Sequence, residues 1–231
     1  MMMYAAIHQP NFFPWLGFFH KLAMSDVFVI LDDAQHTKTG GNWSNRSRLM
    51  LGGAPRWVTG PIQRPAHGTI KLNQVRWIEQ PWQERMLKSL ATNYQRAPFY
   101  QESMVLLRPA IVNSEQSLVA YNLYAIGLIA TALGLRWAPV LSSSLALSTV
   151  STQRLIDVVK AVGCAGYLVG GGAAGYQDDA LFTQAGIKLK CQSFTHLIYP
   201  QVGSSAFVPG LSIIDALMNC GISRTRQLVS T

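Results

Sequence analysis

Cysteine is scarce in this chain, and the three cysteines that occur lie far apart. Cys164, Cys191 and Cys220 form no Cys-x-x-Cys pair, and an odd number cannot close a complete disulfide framework. The spacing therefore argues against a structural zinc site and against a disulfide-stapled scaffold. Each cysteine stands among apolar residues, which favours a packing role over a reactive one. A reducing, cytoplasmic setting fits this usage best.

Charged residues are also few, at 13% of the chain, against about 25% in ordinary soluble domains. Apolar residues make up 49%, so a sizeable core can be buried. The shortage of solvated side chains leaves a homo-oligomer open. Nineteen Lys and Arg outnumber eleven Asp and Glu, which gives a net charge of +8. This excess indicates an anionic partner, and because the basic residues are scattered, nucleic-acid binding is disfavoured.

Targeting segments and membrane-spanning runs are lacking. The first residues have no basic region ahead of an apolar stretch, so we expect no signal peptide. Residues 118–135 carry no charge, and 18 residues is the lower limit for a transmembrane helix. Polar residues such as Tyr121, Asn122 and Thr131 dilute this stretch, and cationic flanks do not bracket it. We therefore expect a buried core helix and no transmembrane segment.

Short apolar runs alternate with helix-like stripes along the chain. Residues 4–8 and 27–31 have the apolar character of buried strands. Between them, residues 14–24 form a helical stripe that opens on Pro14, a residue suited to a first turn. Residues 37–53 are rich in loop-forming residues. Further strands are predicted at 56–62, 69–77, 137–141, 166–169 and 187–193, and further helices at 81–94, 98–107, 114–133, 152–162, 178–185 and 211–219.

This order predicts an α/β fold with a mostly parallel, Rossmann-like sheet that carries helices on both faces. A helix-rich C-terminal half completes it. No internal repeat or low-complexity linker divides the chain. Residues 1–231 are therefore predicted to form a single unit, with a soft seam near residue 110 between an N-terminal α/β half and the C-terminal half.

Polar residues follow the first two predicted strands, at the point where each strand ends. His8-Gln9-Pro10-Asn11 follows the first strand, and Asp32-Asp33-Ala34-Gln35 follows the second. Ligands of open α/β sheets bind beyond the carboxyl ends of the strands, so we expect His8 and Asp32 to lie close together. A histidine beside a carboxylate suits acid–base chemistry. The alternative is that His8 satisfies backbone groups in a proline-flanked turn. The candidate substrate-binding residues here are Gln9, Asn11, Asp33 and Gln35.

Two loops have the composition of ligand-binding segments. The stretch 42–46 alternates amide, aromatic and guanidinium side chains, including Trp43, Asn45 and Arg46, and such groups can stack on a base or sugar ring and hold a phosphate. An ordinary polar loop is the alternative.

The glycines that follow the strand at 166–169 allow backbone amides to approach an anion, although they match neither a Walker A loop nor a dinucleotide fingerprint. A flexible turn is the alternative. The candidate ligand-binding residues of this loop are Gly170, Gly171, Gly172 and Tyr176.

A fourth polar cluster follows the predicted strand at 187–193. His196 is its candidate catalytic residue, and Tyr199 is a candidate ligand for substrate. Ser212 is the expected cap of the last predicted helix. Asp215 in the first turn is either a substrate ligand or a carboxylate stabilised by the helix dipole. We expect one site in which His8, Asp32, the glycines at 170–172 and His196 converge.

These segments together resemble the WbqC-like family, and the resemblance spans nearly the whole chain. Two positions depart from the family pattern: Val169 stands where a serine before glycine is common, and Leu197 stands where a proline after histidine is common. The first departure weakens a role for a hydroxyl in the glycine loop, and the second loosens the turn that presents His196. The resemblance rests on residues 7–19, 25–29, 32–35, 45–46, 94–100, 152–156, 167–172, 194–196, 199–201, 211–215 and 219–221.

The resemblance implies a bacterial protein that belongs to gene sets for surface polysaccharide, such as O-antigen, or for specialised metabolites. It also implies transfer of acyl or aminoacyl groups, with amino sugars as acceptors. The predicted function is a transferase that moves an acyl, aminoacyl or nucleotidyl group to a nucleotide-linked sugar or small metabolite. The alternative is a non-catalytic binding or assembly protein of an envelope-biosynthesis complex, which the low charge and the aromatic segment 12–19 favour. The sequence indicates no metal and leaves the cofactor unknown.

Overall fold

A parallel sheet forms the centre of the computed structural model, which describes residues 2–36, 43–63, 68–171 and 177–230. Five strands lie in the order β5-β2-β1-β6-β7, and every neighbouring pair is parallel. A separate antiparallel ribbon consists of β3 and β4. The strands are β1 Tyr4–His8, β2 Val27–Ile30, β3 Arg46–Leu51, β4 Ala54–Thr59, β5 Val140–Leu141, β6 Gly166–Val169 and β7 Lys188–Cys191.

Helices cover both faces of the sheet, as the sequence predicts. They are α1 Leu16–Ala23, α2 Trp82–Tyr94, α3 Tyr100–Ile111, α4 Leu118–Ala132, α5 Ser151–Ala161, α6 Asp179–Gln184 and α7 Ile213–Ser230. On β1, Ala6 faces the larger core, which α1, α2, α3, α4 and α7 build, whereas Ala5 and Ile7 face a smaller core that contains residues of α5 and α6. A strand buried on both faces must be apolar throughout, which explains the continuous apolar runs of the sequence. The α/β fold class is confirmed.

The direction of winding reverses beside β1. From β1 the chain proceeds to β2 and β5 on one side, and then crosses to β6 and β7 on the other. The carboxyl ends of β1 and β6 are therefore flanked by loops that lead in opposite directions, which opens a crevice between them. His8 ends β1, and Val169 ends β6 just ahead of Gly170.

The chain has one hairpin that the sequence prediction missed. Residues 46–51 lie within a stretch predicted to be loop, yet they form β3 and pair with β4. Gly52 and Gly53 connect the two strands with φ angles of +61° and +75°, which is the backbone that a two-residue hairpin turn requires. The predicted strand at 56–62 begins two residues later than β4, which spans Ala54–Thr59. The turn glycines were the available signal for the correct register.

Two other predicted elements differ from the structure. Residues 69–77 were predicted to be a strand, but Leu72–Gln74 form a 3-10 turn. This segment pairs with the loop after β2, where Leu72 N donates to Ala34 O at 2.9 Å and Asn73 N donates to Asp32 O at 2.7 Å. The predicted last helix ends at residue 219, whereas α7 continues to Ser230 across a kink at Gly221.

Helix α4 begins later than predicted. The cap is Ser117 rather than Ser114, because the Ser117 side chain accepts a hydrogen bond from Ala120 N at 3.4 Å. Most of its length is buried, which accounts for its uncharged sequence. Across the described ranges, no helix combines the length and the apolar character that a bilayer crossing requires.

Candidate functional site

A cavity of about 860 Å³ opens at the carboxyl ends of β1, β6 and β7, in the crevice where the winding reverses. This is the position at which open α/β sheets bind ligands. The volume lies within the range of sites for small molecules and cofactors. Its polar lining consists of His8, Gln9, Asn11, Lys21, Arg48, Gln192 and His196, and its aromatic lining of Trp15, Phe18, Trp43, Tyr167 and Phe194.

The turn after β1 is held rigidly from three directions. Asn122 on α4 donates to Pro10 O at 2.8 Å. Phe12 N donates to Trp43 O at 2.8 Å, and Ser212 Oγ donates to Phe13 O at 2.7 Å. Phe13 itself has a φ of +40°, a conformation that a bulky residue adopts only when its surroundings impose it. The turn that presents His8, Gln9 and Asn11 to the cavity is thus fixed before any ligand binds.

His8 faces the cavity as a neutral imidazole. Its Nδ1 lies 3.0 Å from Gln9 O, and because a carbonyl oxygen only accepts, Nδ1 carries the proton and Nε2 has the lone pair. The ring packs edge-on against Phe18 at 4.8 Å between centroids. Burial, assisted by the positive charge of Lys21, lowers the pKa of His8 to about 3. At neutral pH, Nε2 is therefore available as a hydrogen-bond or proton acceptor.

Lys21 is a site residue that the sequence reasoning missed. It lies on α1 and is only 4% exposed, yet it lines the cavity. Its Nζ donates to Ile7 O at 2.9 Å and lies 5.8 Å from the centre of the Tyr167 ring. Burial lowers the pKa of Lys21 to about 8. The sequence feature that could have identified Lys21 is its position on an apolar helix between two buried strands, where a charged side chain does not contribute to packing.

The glycine loop and the end of β7 meet Lys21 from the other side of the crevice. A Cβ placed on Gly170 would lie 3.7 Å from Lys21 Nζ and 3.9 Å from Gln192 Oε1. Gln192 is fixed by its amide nitrogen, which donates to Gly17 O at 2.7 Å and to His20 Nδ1 at 2.9 Å. Gly170 and Gly171 line the cavity. Gly172 and Tyr176 lie outside the described residues.

His196 occupies an aromatic wall of the same cavity. Its ring centroid lies 5.3 Å from that of Trp15 and 5.0 Å from that of Phe194. Burial lowers the pKa of His196 below its ordinary value, which favours the neutral form. His8, Gly170, Gly171 and His196 thus line one cavity, and this part of the expected convergence is observed.

The cavity is electropositive. Arg48 on β3, a second residue that the sequence reasoning missed, lines it together with Lys21, and no Asp or Glu is found in the part of its lining that the structure describes. The ion pair found within the described ranges joins Arg154 to Asp33, away from this lining. Two cations without a carboxylate beside them favour an anionic ligand.

Asp32 and Asp33 lie outside this lining, and the carboxylate of Asp32 accepts its hydrogen bonds from residues other than His8. The Asp32 carboxylate turns toward β5 and accepts hydrogen bonds from Ser143 N at 2.9 Å, Ser143 Oγ at 2.6 Å and Ser142 Oγ at 3.2 Å. Asp33 pairs with Arg154 and accepts from Ser142. Burial alone would raise the pKa of Asp33, but the Ser142 hydrogen bond and the charge of Arg154 hold it below its ordinary value.

Tyr199 and Asp215 belong to a buried network behind the site. The Asp215 side chain, which is fully buried, accepts from Tyr94 Oη at 2.9 Å, Tyr199 Oη at 2.8 Å and Gln201 Nε2 at 2.9 Å. Burial raises the pKa of Asp215, although the three donors act in the opposite direction. The network fixes the start of α7 against the segment 199–202, and neither Tyr199 nor Asp215 lines the cavity.

Of the remaining predicted binding residues, Asn45 and Arg46 lie at the start of the ribbon, and Gln35 lies in the loop after β2. Asn45 is buried and donates to Gly60 O at 2.9 Å. The Arg46 guanidinium lies 4.5 Å from the centre of the Trp57 ring. Gln35 is exposed and forms an isolated bridge with Lys71. These three side chains are absent from the described lining of the cavity.

Within the described ranges, no group of three or more His, Cys, Asp and Glu side chains is arranged to hold a metal ion.

The fold and the cavity define an α/β protein with an open cavity at the switch point of a parallel sheet. The sequence matches the WbqC-like protein family over residues 9–227, and the chain belongs to that family. It is 28% identical over 222 residues to the uncharacterized protein Rv1507c of Mycobacterium tuberculosis, with 95% of each chain covered. No solved structure matches the chain.

Proposed function

We propose that the protein is a group-transfer enzyme that acts on an anionic, nucleotide-linked small molecule in the switch-point cavity. The observation that carries this proposal is the composition of the cavity lining, which places Lys21, Arg48 and neutral His8 together with no carboxylate among the described residues. A merely structural crevice would have no reason to hold two cations beside a neutral imidazole.

The chemistry follows from the protonation states. Transfer of an acyl, aminoacyl or nucleotidyl group to a hydroxyl or amine forms a bond to that nucleophile and breaks the bond to the leaving group. His8 Nε2 takes the proton that the nucleophile loses, since it is the ring nitrogen that has a lone pair. The charges of Lys21 and Arg48 stabilise the negative charge on the leaving group. Burial is the larger cause of the lowered basicity of His8, and an anion bound near Lys21 offsets the smaller one, which is the positive charge of Lys21.

The setting is part of the same proposal. An acceptor on a nucleotide-linked sugar or small metabolite fits the size and charge of the cavity. The context would be the synthesis of surface polysaccharide or of specialised metabolites, in the cytoplasm. The catalytic role predicted for Asp32 stays a prediction.

A ligand screen followed by one conservative substitution tests this function. Nucleotide-sugars with acyl and aminoacyl donors are screened by thermal shift, where a ligand at 100 times its Kd adds about 2.7 kcal/mol. Turnover of the donor and the nucleotide-sugar that bind most tightly is then compared between the wild type, His8→Asn and His8→Ala. His8→Asn keeps an N–H donor within reach of Gln9 O but lacks Nε2. A folded His8→Asn variant should lose at least about 100-fold in kcat, and full turnover would exclude His8 as the proton acceptor.

The alternative function, a non-catalytic binding or assembly protein, has one observation in its favour. Ile198 is 79% exposed and Leu197 is 37% exposed, directly after His196 of the cavity wall. Exposed aliphatic side chains beside a site suit contact with another protein. Under this alternative the screened ligands bind without turnover, and replacing both residues by serine abolishes association with the partner while ligand binding is kept.

A further inference from the structure

The buried ammonium group of Lys21 lines the switch-point crevice and has no counter-ion among the residues that the structure describes. Lys21 is 4% exposed, and the salt bridge among the described residues involves other side chains. Burying a charge away from a partner is costly, and proteins usually pair or neutralise such a group. Lys21 instead lies beside an open cavity of about 860 Å³ that reaches solvent.

The surroundings of Lys21 leave hydrogen-bonding capacity directed at this space. An ammonium group has three donors, and Ile7 O, at 2.9 Å, accepts from one of them. The space next to Nζ is bounded by Gly170, where a Cβ would approach Nζ to 3.7 Å and Gln192 Oε1 to 3.9 Å. Because Gly170 has no side chain, the space beside Lys21 Nζ can hold a ligand atom. An ammonium group is tetrahedral, so its remaining N–H donors can reach an atom in that space.

We infer that Lys21 and the backbone at Gly170 form a subsite for the phosphoryl group of the ligand, with Arg48 contributing a second positive charge from β3. This inference rests on the proposed function and deepens it, because it names the chemical group that the site recognises. The cavity is far larger than a phosphate, so the subsite holds the anionic part of a larger molecule, whose apolar part faces Trp15 and Phe194.

A phosphoryl group fits this arrangement better than a carboxylate does. Lys21 acts as a compact point charge, which suits phosphate oxygens, and the crevice between strands that wind in opposite directions is where α/β sheets place phosphates. Lys21 and Arg48 place two positive charges in one lining. These charges match the charge of a diphosphate more closely than they match the single charge of one carboxylate. The subsite therefore selects phosphorylated over carboxylated molecules of equal size.

Direct binding tests this inference without any assay of turnover. Inorganic pyrophosphate and uridine diphosphate are titrated by calorimetry into the wild-type protein, with malonate as the carboxylate probe. Lys21→Met should weaken binding of both phosphate compounds by at least about tenfold, as expected for loss of a charged hydrogen bond. Lys190→Met is the matched control, since Lys190 is an exposed lysine over the Tyr4 ring at 5.6 Å, and its affinity should stay within about twofold of the wild type.

A second variant keeps the test decisive if Lys21→Met fails to fold. Gly170→Ala introduces a methyl group at ordinary contact distance from Lys21 Nζ and Gln192 Oε1, so the fold is retained while the subsite is filled. Its affinity for pyrophosphate should fall at least about tenfold with no loss of melting temperature. Wild-type affinity in either folded variant would overturn the inference, and so would a wild-type protein that binds malonate as well as pyrophosphate.

The inference and the proposed function fail in different ways. Binding of pyrophosphate that depends on Lys21, without turnover of any donor and acceptor pair, retains the phosphoryl subsite and removes the transferase. Turnover with an unchanged KM in Lys21→Met retains the transferase and removes the subsite.

Discussion

The side-chain amide of Asn122, in the second turn of α4, donates to the carbonyl oxygen of Pro10 at 2.8 Å. The same nitrogen donates to Ser44 O at 2.7 Å. One buried amide thereby connects the turn that follows the first strand to the loop that precedes the ribbon. The two segments that carry His8 and Trp43 into the cavity are held at a fixed separation by a residue that does not line the cavity itself.

Replacing Asn122 should loosen the site and reduce stability together. Asn122→Leu removes the hydrogen bonds to Pro10 O and Ser44 O, and the loss of each buried hydrogen bond costs about 1–3 kcal/mol. We expect a decrease of about 2–5 kcal/mol in the free energy of unfolding, measured in urea, and weaker binding of pyrophosphate. A decrease below about 0.5 kcal/mol would show that the turn is held without this amide.

The pH dependence of stability should report the buried charge of Lys21. The pKa of Lys21 falls from 10.5 to about 8 on folding, so between these values the unfolded chain binds more protons than the folded chain. Stability must then rise with pH across this window. Relative to Lys21→Met, the wild type should gain about 3 kcal/mol between pH 8 and 10.5. The free energy of unfolding of both proteins is measured in urea across this pH range. An equal pH dependence in the wild type and in Lys21→Met would contradict a buried, ionisable Lys21.

Tyr94 should contribute to stability and not to ligand binding. Its hydroxyl accepts from Met50 N at 2.8 Å and donates to Asp215 Oδ1 at 2.9 Å. Tyr94→Phe removes both contacts in the core and should cost about 1–3 kcal/mol, while the affinity for pyrophosphate is unchanged. Tyr124→Phe is the control, because Tyr124 is 45% exposed, and it should change stability by less than about 0.5 kcal/mol. Loss of ligand affinity in folded Tyr94→Phe would place the Asp215 network in the site.

The kink in α7 should depend on a glycine at position 221. Gly221 has a φ of +72°, and an added Cβ would lie 2.6 Å from the Phe99 ring. Gly163 has the same φ of +72° with open space around it. Gly163→Ala therefore measures the cost of a Cβ at a positive φ without a steric contact, about 1–2 kcal/mol. Gly221→Ala should cost at least about 1–3 kcal/mol more, because its ψ of 175° also favours glycine and its Cβ meets Phe99. Equal losses in the two variants, measured by chemical denaturation, would mean that Phe99 moves aside freely.

The sequence predicted the sheet well because its strands are buried on both faces. A strand such as Val27–Ile30 must be continuously apolar, and that pattern is visible without a structure. The same rule located His8 and Gly170 at strand ends that share the cavity. The hairpin at Arg46–Leu51 was missed because charged and apolar residues follow one another there without a two-residue period, and only its turn glycines mark it.

The composition of the site was harder to predict than its location. Asp32 follows β2 in the expected place, but the direction of its side chain depends on Ser142 and Ser143, about 110 residues later. Lys21 was overlooked because it occurs within a helix and not at a strand end. Its importance depends on burial and on the lack of a counter-ion, and both are properties of the packed chain.

The cavity draws its walls from both ends of the chain. Gln192 Nε2, from the end of β7, binds Gly17 O on α1 across 175 positions of sequence. During synthesis on the ribosome, His8 and Lys21 are made early, yet the cavity beside them does not exist until the segment that carries Gln192 and His196 has emerged. The cavity is therefore complete only once a residue made 175 positions later has docked onto α1.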